Sequence, residues 1–308
     1  MTTPRVWLIT GATSGFGLEL AKVAAERGDL VIGTSRNPSS FTAPLPSGIT
    51  LARLDHNEPL ASIKKDVAAI FAIHGTVDVV VNNAAYVQTG TVEELTPEET
   101  LKQFRANVFG PVNVYRAVLP HLRAKPLPTA ELGKEEEEER GGRLGKGALV
   151  TIGSMSAWYQ MDSTAAYMGA KAALRQITLG MAAEVAAFGV RHTLVEPGFF
   201  RTELLRPEAN LAGTGPGNRI DAYAELNKKA DDVFRAVHGK QLGDARKGCE
   251  IIYEVVTGTG VASGRELPAE LPLGGDAVVE IARSARRTID AVERWADVAK
   301  LSDIPAGQ

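Results

Sequence analysis

Cysteine is almost missing from this chain: Cys249 is the single thiol among 308 residues. No disulfide can close within one molecule, and a reducing compartment is the expected home. Long apolar runs are lacking too. No stretch approaches the about eighteen residues that a spanning helix needs. The run Val6–Thr10 is too short for a secretory signal and leads straight into a glycine loop. Cationic charge is not in excess, since 34 Lys and Arg against 37 Asp and Glu leave a net charge of -3. That offers no basic footprint for nucleic acid. The five histidines (His56, His74, His121, His192 and His238) are scattered without metal-ligand spacing. Gly153-Ser154-Met155-Ser156-Ala157 does not supply the G-x-S-x-G elbow of a serine hydrolase. These absences predict a soluble, cytoplasmic protein with no membrane span, no nucleic-acid partner and no metal.

What is present is ordinary in bulk, with 44% hydrophobic and 23% charged residues, and organised in pattern. A chain of this size buries about three quarters of its unfolded surface, and residues 1–308 are expected to form one domain. Apolar runs at Val6–Thr10, 30–34, 49–54, 77–81, 148–152 and 190–195 read as strands, with helical periodicity between most of them. Alternating strand and helix implies an α/β fold, a parallel sheet covered on both faces. Residues 123–147, with five consecutive glutamates, read as a charged surface insertion. After Thr202 the alternation stops. Residues 203–220 read as a loop and 222–237 as a helix, making 203–245 the expected lid over a ligand site. Residues 246–308 form a C-terminal extension with helices at 247–256 and 275–298.

Three side chains make a proton-handling device. Tyr167 and Lys171 are four apart, which on a helix places them on one face. A nearby ammonium is expected to lower a tyrosine pKa from about 10 toward the working pH. Ser154 lies near the end of the 148–152 run, where its hydroxyl can point into a crevice beyond the sheet edge. Together they suit protonation of an alkoxide or deprotonation of an alcohol. The glycine turn after the first strand lets backbone approach a pyrophosphate at a helix N-terminus. Its spacing is G-x-x-x-G-x-G, not G-x-G-x-x-G.

In this order the motifs resemble the short-chain dehydrogenases/reductases, in their common single-domain branch, over about residues 5–203. Thr10-Gly11-Ala12-Thr13-Ser14-Gly15-Phe16-Gly17 is similar to the family's cofactor loop. Asn82-Asn83-Ala84-Ala85 is similar to its N-N-A-G, with Ala85 in place of the glycine. Asn107 is placed like the family's helix asparagine; Ser154, Tyr167 and Lys171 match its serine and Y-x-x-x-K. Pro197-Gly198-Phe199-Phe200-Arg201-Thr202 resembles the segment beside the nicotinamide. The tail around Leu271-Pro272-Leu273-Gly274 is similar to one NADP-using group, less specifically.

The resemblance implies a Rossmann-like doubly wound parallel sheet in three α/β/α layers, with a helical C-terminal lid and extension. It implies hydride transfer between a nicotinamide and a carbonyl carbon. Tyr167 would be general acid or base, Lys171 would hold the ribose, Ser154 would bind the carbonyl oxygen, and Asn107 would position a water. Expected cofactor contacts are Gly11, Thr13, Ser14, Gly15, Phe16, Gly17, Asn82, Asn83, Ala84, Tyr167, Lys171, Pro197, Gly198, Phe200 and Thr202. At the end of the second strand no acid is present, while Ser35 and Arg36 could clamp a 2′-phosphate. The cofactor expected is therefore NADP(H), with Asp55 accepting from the adenine amino group. Met155, Trp158, Met161, Phe199 and Leu204 are expected to line a pocket for an apolar or aromatic carbonyl or alcohol substrate. A non-redox isomerase or dehydratase and a silent NADP-binding sensor or scaffold stay open as alternatives. Family members often pair through two long helices, here 98–122 and 164–188, which would make a homodimer or homotetramer.

Overall fold

A computed structural model describes residues 3–126, 145–205 and 210–304. The glutamate run of the expected insertion lies outside them. From the N-terminus, β1 (Val6–Thr10) feeds α1 (Gly15–Glu26), followed by β2 (Leu30–Ser35), β3 (Ile49–Arg53), α2 (Leu60–His74), β4 (Val79–Asn82) and β5 (Val87–Thr89). Next come α3 (Pro97–Phe104) and α4 (Gly110–Ala124), joined without a break by a π-helical turn, Arg105–Phe109. Then follow β6 (Gly147–Ile152), α5 (Ala165–Ala186), β7 (Val190–Pro197), β8 (Leu211–Gly213), α6 (Ala224–Val237), α7 (Ala245–Thr257), β9 (Glu270–Leu273) and α8 (Gly275–Ala299).

Seven strands pair in the order β3-β2-β1-β4-β6-β7-β9, all parallel. This is the Rossmann-like doubly wound α/β sheet. β1, β4 and β6 are buried at every position, as strands covered on both faces must be. Trp7, Ile9 and Val81 pack with α1 and α7 on one face; Leu8, Val80 and Leu149 pack with α2 and α4 on the other. The register pairs Thr10 with Thr34, Asn82 with Thr151, Ile152 with Val195 and Pro197 with Leu273. Six strands therefore end along one edge, and the strand order reverses between β1 and β4. Open sheets bind ligands at that place.

Two elements differ from expectation. β9 was not legible as a strand, because four residues with Pro272 in the middle carry no period, and proline is tolerated only on such an edge strand. The 203–220 stretch is not all loop: β8 within it pairs in parallel with β5 as a separate two-stranded ribbon. Asp29 lies at the far end of β2, where its carboxylate accepts from Arg5 N (3.0 Å), Trp7 Nε1 (2.9 Å) and Tyr253 Oη (3.0 Å).

Candidate active site

The glycine turn is held by two side chains. Thr10 Oγ1 accepts from the backbone N–H groups of Asn83 (2.9 Å) and Ala84 (3.1 Å). Asn83 Nδ2 donates to Thr10 O (2.9 Å) and Gly11 O (3.3 Å). Gly11 and Gly15 need left-handed backbone, with φ of +66° and +54°. A Cβ at Gly17 would overlap Gly11 O and Asn83 Nδ2. Gly17 therefore lets α1 close onto the turn and does not itself face the cavity.

A cavity of 1280 Å³ runs along this edge. Gly11, Thr13, Ser14, Gly15, Phe16, Ser35, Arg36, Asp55, Asn83, Ala84, Pro197, Gly198, Phe200 and Thr202 line it on the turn side. Ser35 Oγ is buried without a hydrogen-bond partner, and the exposed Arg36 follows it. An orphaned hydroxyl beside a cation, at the end of β2, fits a phosphorylated dinucleotide. Asp55 has one oxygen engaged by Asn57 N (2.9 Å). Asn82 does not line the cavity: its Nδ2 donates to Pro111 O (2.9 Å) and ties β4 to α4.

Ser154, Tyr167 and Lys171 line the same cavity. Lys171 sits inside α5, almost fully buried, and its Nζ donates to Ile152 O at 2.9 Å. Burial pushes its pKa down to about 8. The expected lowering of the tyrosine by that ammonium is not what the structure shows. Burial raises the Tyr167 pKa, and the opposing pull comes from the hydroxyls of Ser154 and Ser156. Desolvation outweighs both.

Asn107 does not reach the cavity. It lies buried in the π-turn, where its Oδ1 accepts from Tyr86 N (3.1 Å) and its Nδ2 donates to Tyr86 O (2.8 Å). Both polar atoms are spent on the backbone of the β4–β5 connection. Pro111, just past the turn, lacks a donor N–H and favours such a break in the i→i−4 ladder.

On the substrate side, Met155, Met161, Phe199 and Leu204 line the cavity and Trp158 does not. The Trp158 indole donates to Glu196 Oε1 (2.9 Å), with the Arg175 guanidinium 4.2 Å from its ring centroid. An aromatic ring with one donor suits a buried acid beneath a turn as well as it suits a pocket. The sequence reading passed over Ser156, Tyr86, Leu211 in β8 and Phe234 in α6, all of which line the cavity. It also passed over Asp276 at the start of α8, which accepts from Phe199 N (2.6 Å) and leaves no room for a Cβ at Gly198. The Ser154-x-Ser156 spacing was the one signal available for any of these.

A parallel nucleotide-type sheet with serine, tyrosine and lysine gathered at its carboxyl edge defines a class of dinucleotide-dependent oxidoreductases. The short chain dehydrogenase family model matches residues 5–211. The chain belongs to the short-chain dehydrogenase/reductase family. It is 28% identical to oxidoreductase BOA17 of Botryotinia fuckeliana, over 97% of this chain and 99% of that protein. It is 31% identical to a 3-ketodihydrosphingosine reductase of Bacteroides thetaiotaomicron, over 81% of this chain and 84% of that one. Among solved structures, a short-chain dehydrogenase from Streptomyces avermitilis superposes with a TM-score of 0.78 at 33% identity, over 98% of this chain and 100% of that one. Among the described residues no helix is long and apolar enough to cross a membrane.

Proposed function

We propose that the protein is an NADP(H)-dependent oxidoreductase that interconverts a carbonyl and an alcohol on a small-to-medium apolar or aromatic substrate. One observation carries the reading: Ser154, Tyr167 and Lys171 face a single cavity that continues along the glycine turn to Ser35 and Arg36. A nicotinamide bound there would supply or accept the hydride. The residues of this chain do the remainder. Gly11 and Gly15 bring backbone N–H groups and the α1 N-terminus to the pyrophosphate. Arg36 and Ser35 hold the 2′-phosphate.

Ser154 donates its O–H to the substrate oxygen as negative charge grows there. Tyr167, protonated at neutral pH, gives that oxygen its proton, and takes it back in the reverse direction. Lys171, with its pKa lowered to about 8, would hold the ribose as an ammonium and can return a proton to the phenolate, being reprotonated from solvent afterwards. Asn107 has its carboxamide committed to Tyr86, so its side chain is left out of the proton path. Met155, Met161, Phe199 and Leu204 give the substrate side its apolar character.

The test is a panel of aliphatic and aromatic carbonyl compounds assayed for NADPH consumption, with Tyr167→Phe as control. Turnover with wild type and its loss in the variant, with NADPH binding retained, is the expected result. Binding of NADPH without turnover of any compound would instead mark a silent dinucleotide-binding protein. Turnover that survives in Tyr167→Phe removes Tyr167 from its role.

A further inference from the structure

Ser154 does not stand alone at the tip of β6. Its side chain caps the short 3-10 turn Met155–Ala157, accepting from the backbone N–H of Ser156 at 3.1 Å. The hydroxyl of Ser156 donates to the same oxygen at 2.8 Å. Ser156 is largely buried and lines the cavity beside Tyr167. A serine hydroxyl carries one hydrogen and two lone pairs. With both lone pairs occupied by Ser156, the one capacity left to Ser154 is its own proton, which is directed to the Tyr167 side of the cavity. A hydroxyl that could rotate freely would accept from Tyr167 in one orientation and donate to substrate in another. This one is confined to donating.

We propose that Ser156 is a positioning residue that fixes the polarity of Ser154, filling its acceptor sites so that its O–H is held ready for the developing negative charge on the substrate oxygen. Preorganised donors are effective because they need no reorientation when charge appears. Ser156 has a second consequence at the phenol. By keeping Ser154 turned outward, Ser156 supports the hydroxyl whose hydrogen bond pulls the Tyr167 pKa back against the rise caused by burial. The same side chain thereby aims the electrophilic donor and tempers the proton donor. The inference rests on the oxidoreductase reading above and assigns a residue which that reading does not use.

The experiment compares wild type, Ser156→Ala and Ser156→Thr in two measurements. In steady-state kinetics with a turned-over carbonyl, Ser156→Ala should lower kcat about tenfold. That is short of the roughly hundred- to thousandfold cost of deleting an oxyanion donor itself. KM for substrate and NADPH should stay within about twofold, because the lost contact matters in the transition state. Ser156→Thr keeps the hydroxyl and should recover most of the rate.

The second measurement needs no turnover: a pH titration of isotope-labelled tyrosine ring-carbon signals by NMR, with Tyr167 assigned through Tyr167→Phe among the six tyrosines. Ser156→Ala should move the Tyr167 titration to higher pH, and Ser156→Thr should move it back. An active wild type whose kcat and Tyr167 titration are both unchanged in Ser156→Ala overturns the positioning role alone. A wild type inactive on every carbonyl overturns the oxidoreductase reading, and the titration then still decides whether Ser156 is coupled to the phenol.

Discussion

Ser163 and Asn227 share a hydrogen bond of 2.9 Å, from the serine hydroxyl to the asparagine carbonyl oxygen, linking the entrance of α5, which carries Tyr167 and Lys171, to α6. Ser163 is the one non-glycine among the described residues with positive φ, at 57°. Asn227 passes the contact on, its Nδ2 donating to Glu94 Oε1 at 2.7 Å. Glu94, buried, also accepts from Ile220 N (3.0 Å) and Thr91 Oγ1 (3.0 Å). Four residues after Ser163 stands Tyr167, so this polar chain fixes α6 to the start of the helix that carries it.

Asn227→Ala should uncouple them. It removes a donor from a buried carboxylate and an acceptor from Ser163, which costs on the order of 1–3 kcal/mol. Urea unfolding would register that loss. Because Phe234 of α6 lines the cavity, KM for substrate should rise several-fold while affinity for the dinucleotide is unchanged. A variant with weakened NADPH binding and normal substrate KM would place this chain of contacts elsewhere in the mechanism.

Arg36→Ala should weaken NADPH binding by at least tenfold and leave NADH binding within about twofold, since only NADPH carries the phosphate this guanidinium would pair with. Fluorescence titration of both dinucleotides reads the difference. Equal effects on both would remove Arg36 from the phosphate site.

Lys171→Met should stabilise the protein without ligand while abolishing turnover. The buried ammonium has its pKa lowered from 10.5 to about 8, so at neutral pH the folded state carries a charge it would rather lose. With a folded pKa below the unfolded one, wild-type stability rises as pH goes from about 8 to about 10.4, the window in which only the unfolded chain holds the proton. The difference at pH 7 is of the order of 3 kcal/mol. Thermal melts across this range should show the rise in wild type and its absence in the variant. A Lys171→Met protein that melts lower throughout contradicts the burial argument.

Trp158→Phe separates a structural indole from a substrate contact. Burial pushes the Glu196 carboxyl up to about 7, against the pull of the Trp158 N–H and Arg175. A carboxyl with a raised folded pKa favours the folded state fully below about 4.3 and loses that contribution as pH climbs through 7. Removing the indole donor harms the ionised carboxylate most. The loss in stability should therefore be larger at pH 8 than at pH 5, with substrate KM unchanged. A changed KM would return Trp158 to the pocket.

Much of the site was legible because its chemistry needs particular atoms at short spacings. A glycine at 11 or 15 serves a turn with positive φ; Tyr167 and Lys171 four apart must share a helix face. Sheet strands buried on both sides are continuous apolar runs, which is why β1, β4 and β6 could be read. Other residues of the same types answer to different partners. Asn82, Asn107 and Trp158 are polar or aromatic in the right neighbourhood, yet each turns its hydrogen bonds to Pro111, Tyr86 and Glu196. Nothing local distinguishes a donor aimed at a cavity from one aimed at a carbonyl across it.

From residue order alone came the alternation of strand and helix, the glycine turn, and the serine–tyrosine–lysine set, because these depend on backbone geometry and spacing within a few residues. Long-range packing decided the rest. It brought Asp276 under Phe199 across 77 positions and Asn227 to Glu94 across 133. It also made burial, not the neighbouring ammonium, the stronger influence on Tyr167. Desolvation depends on everything that surrounds a group, and that surrounding exists only once the chain has folded.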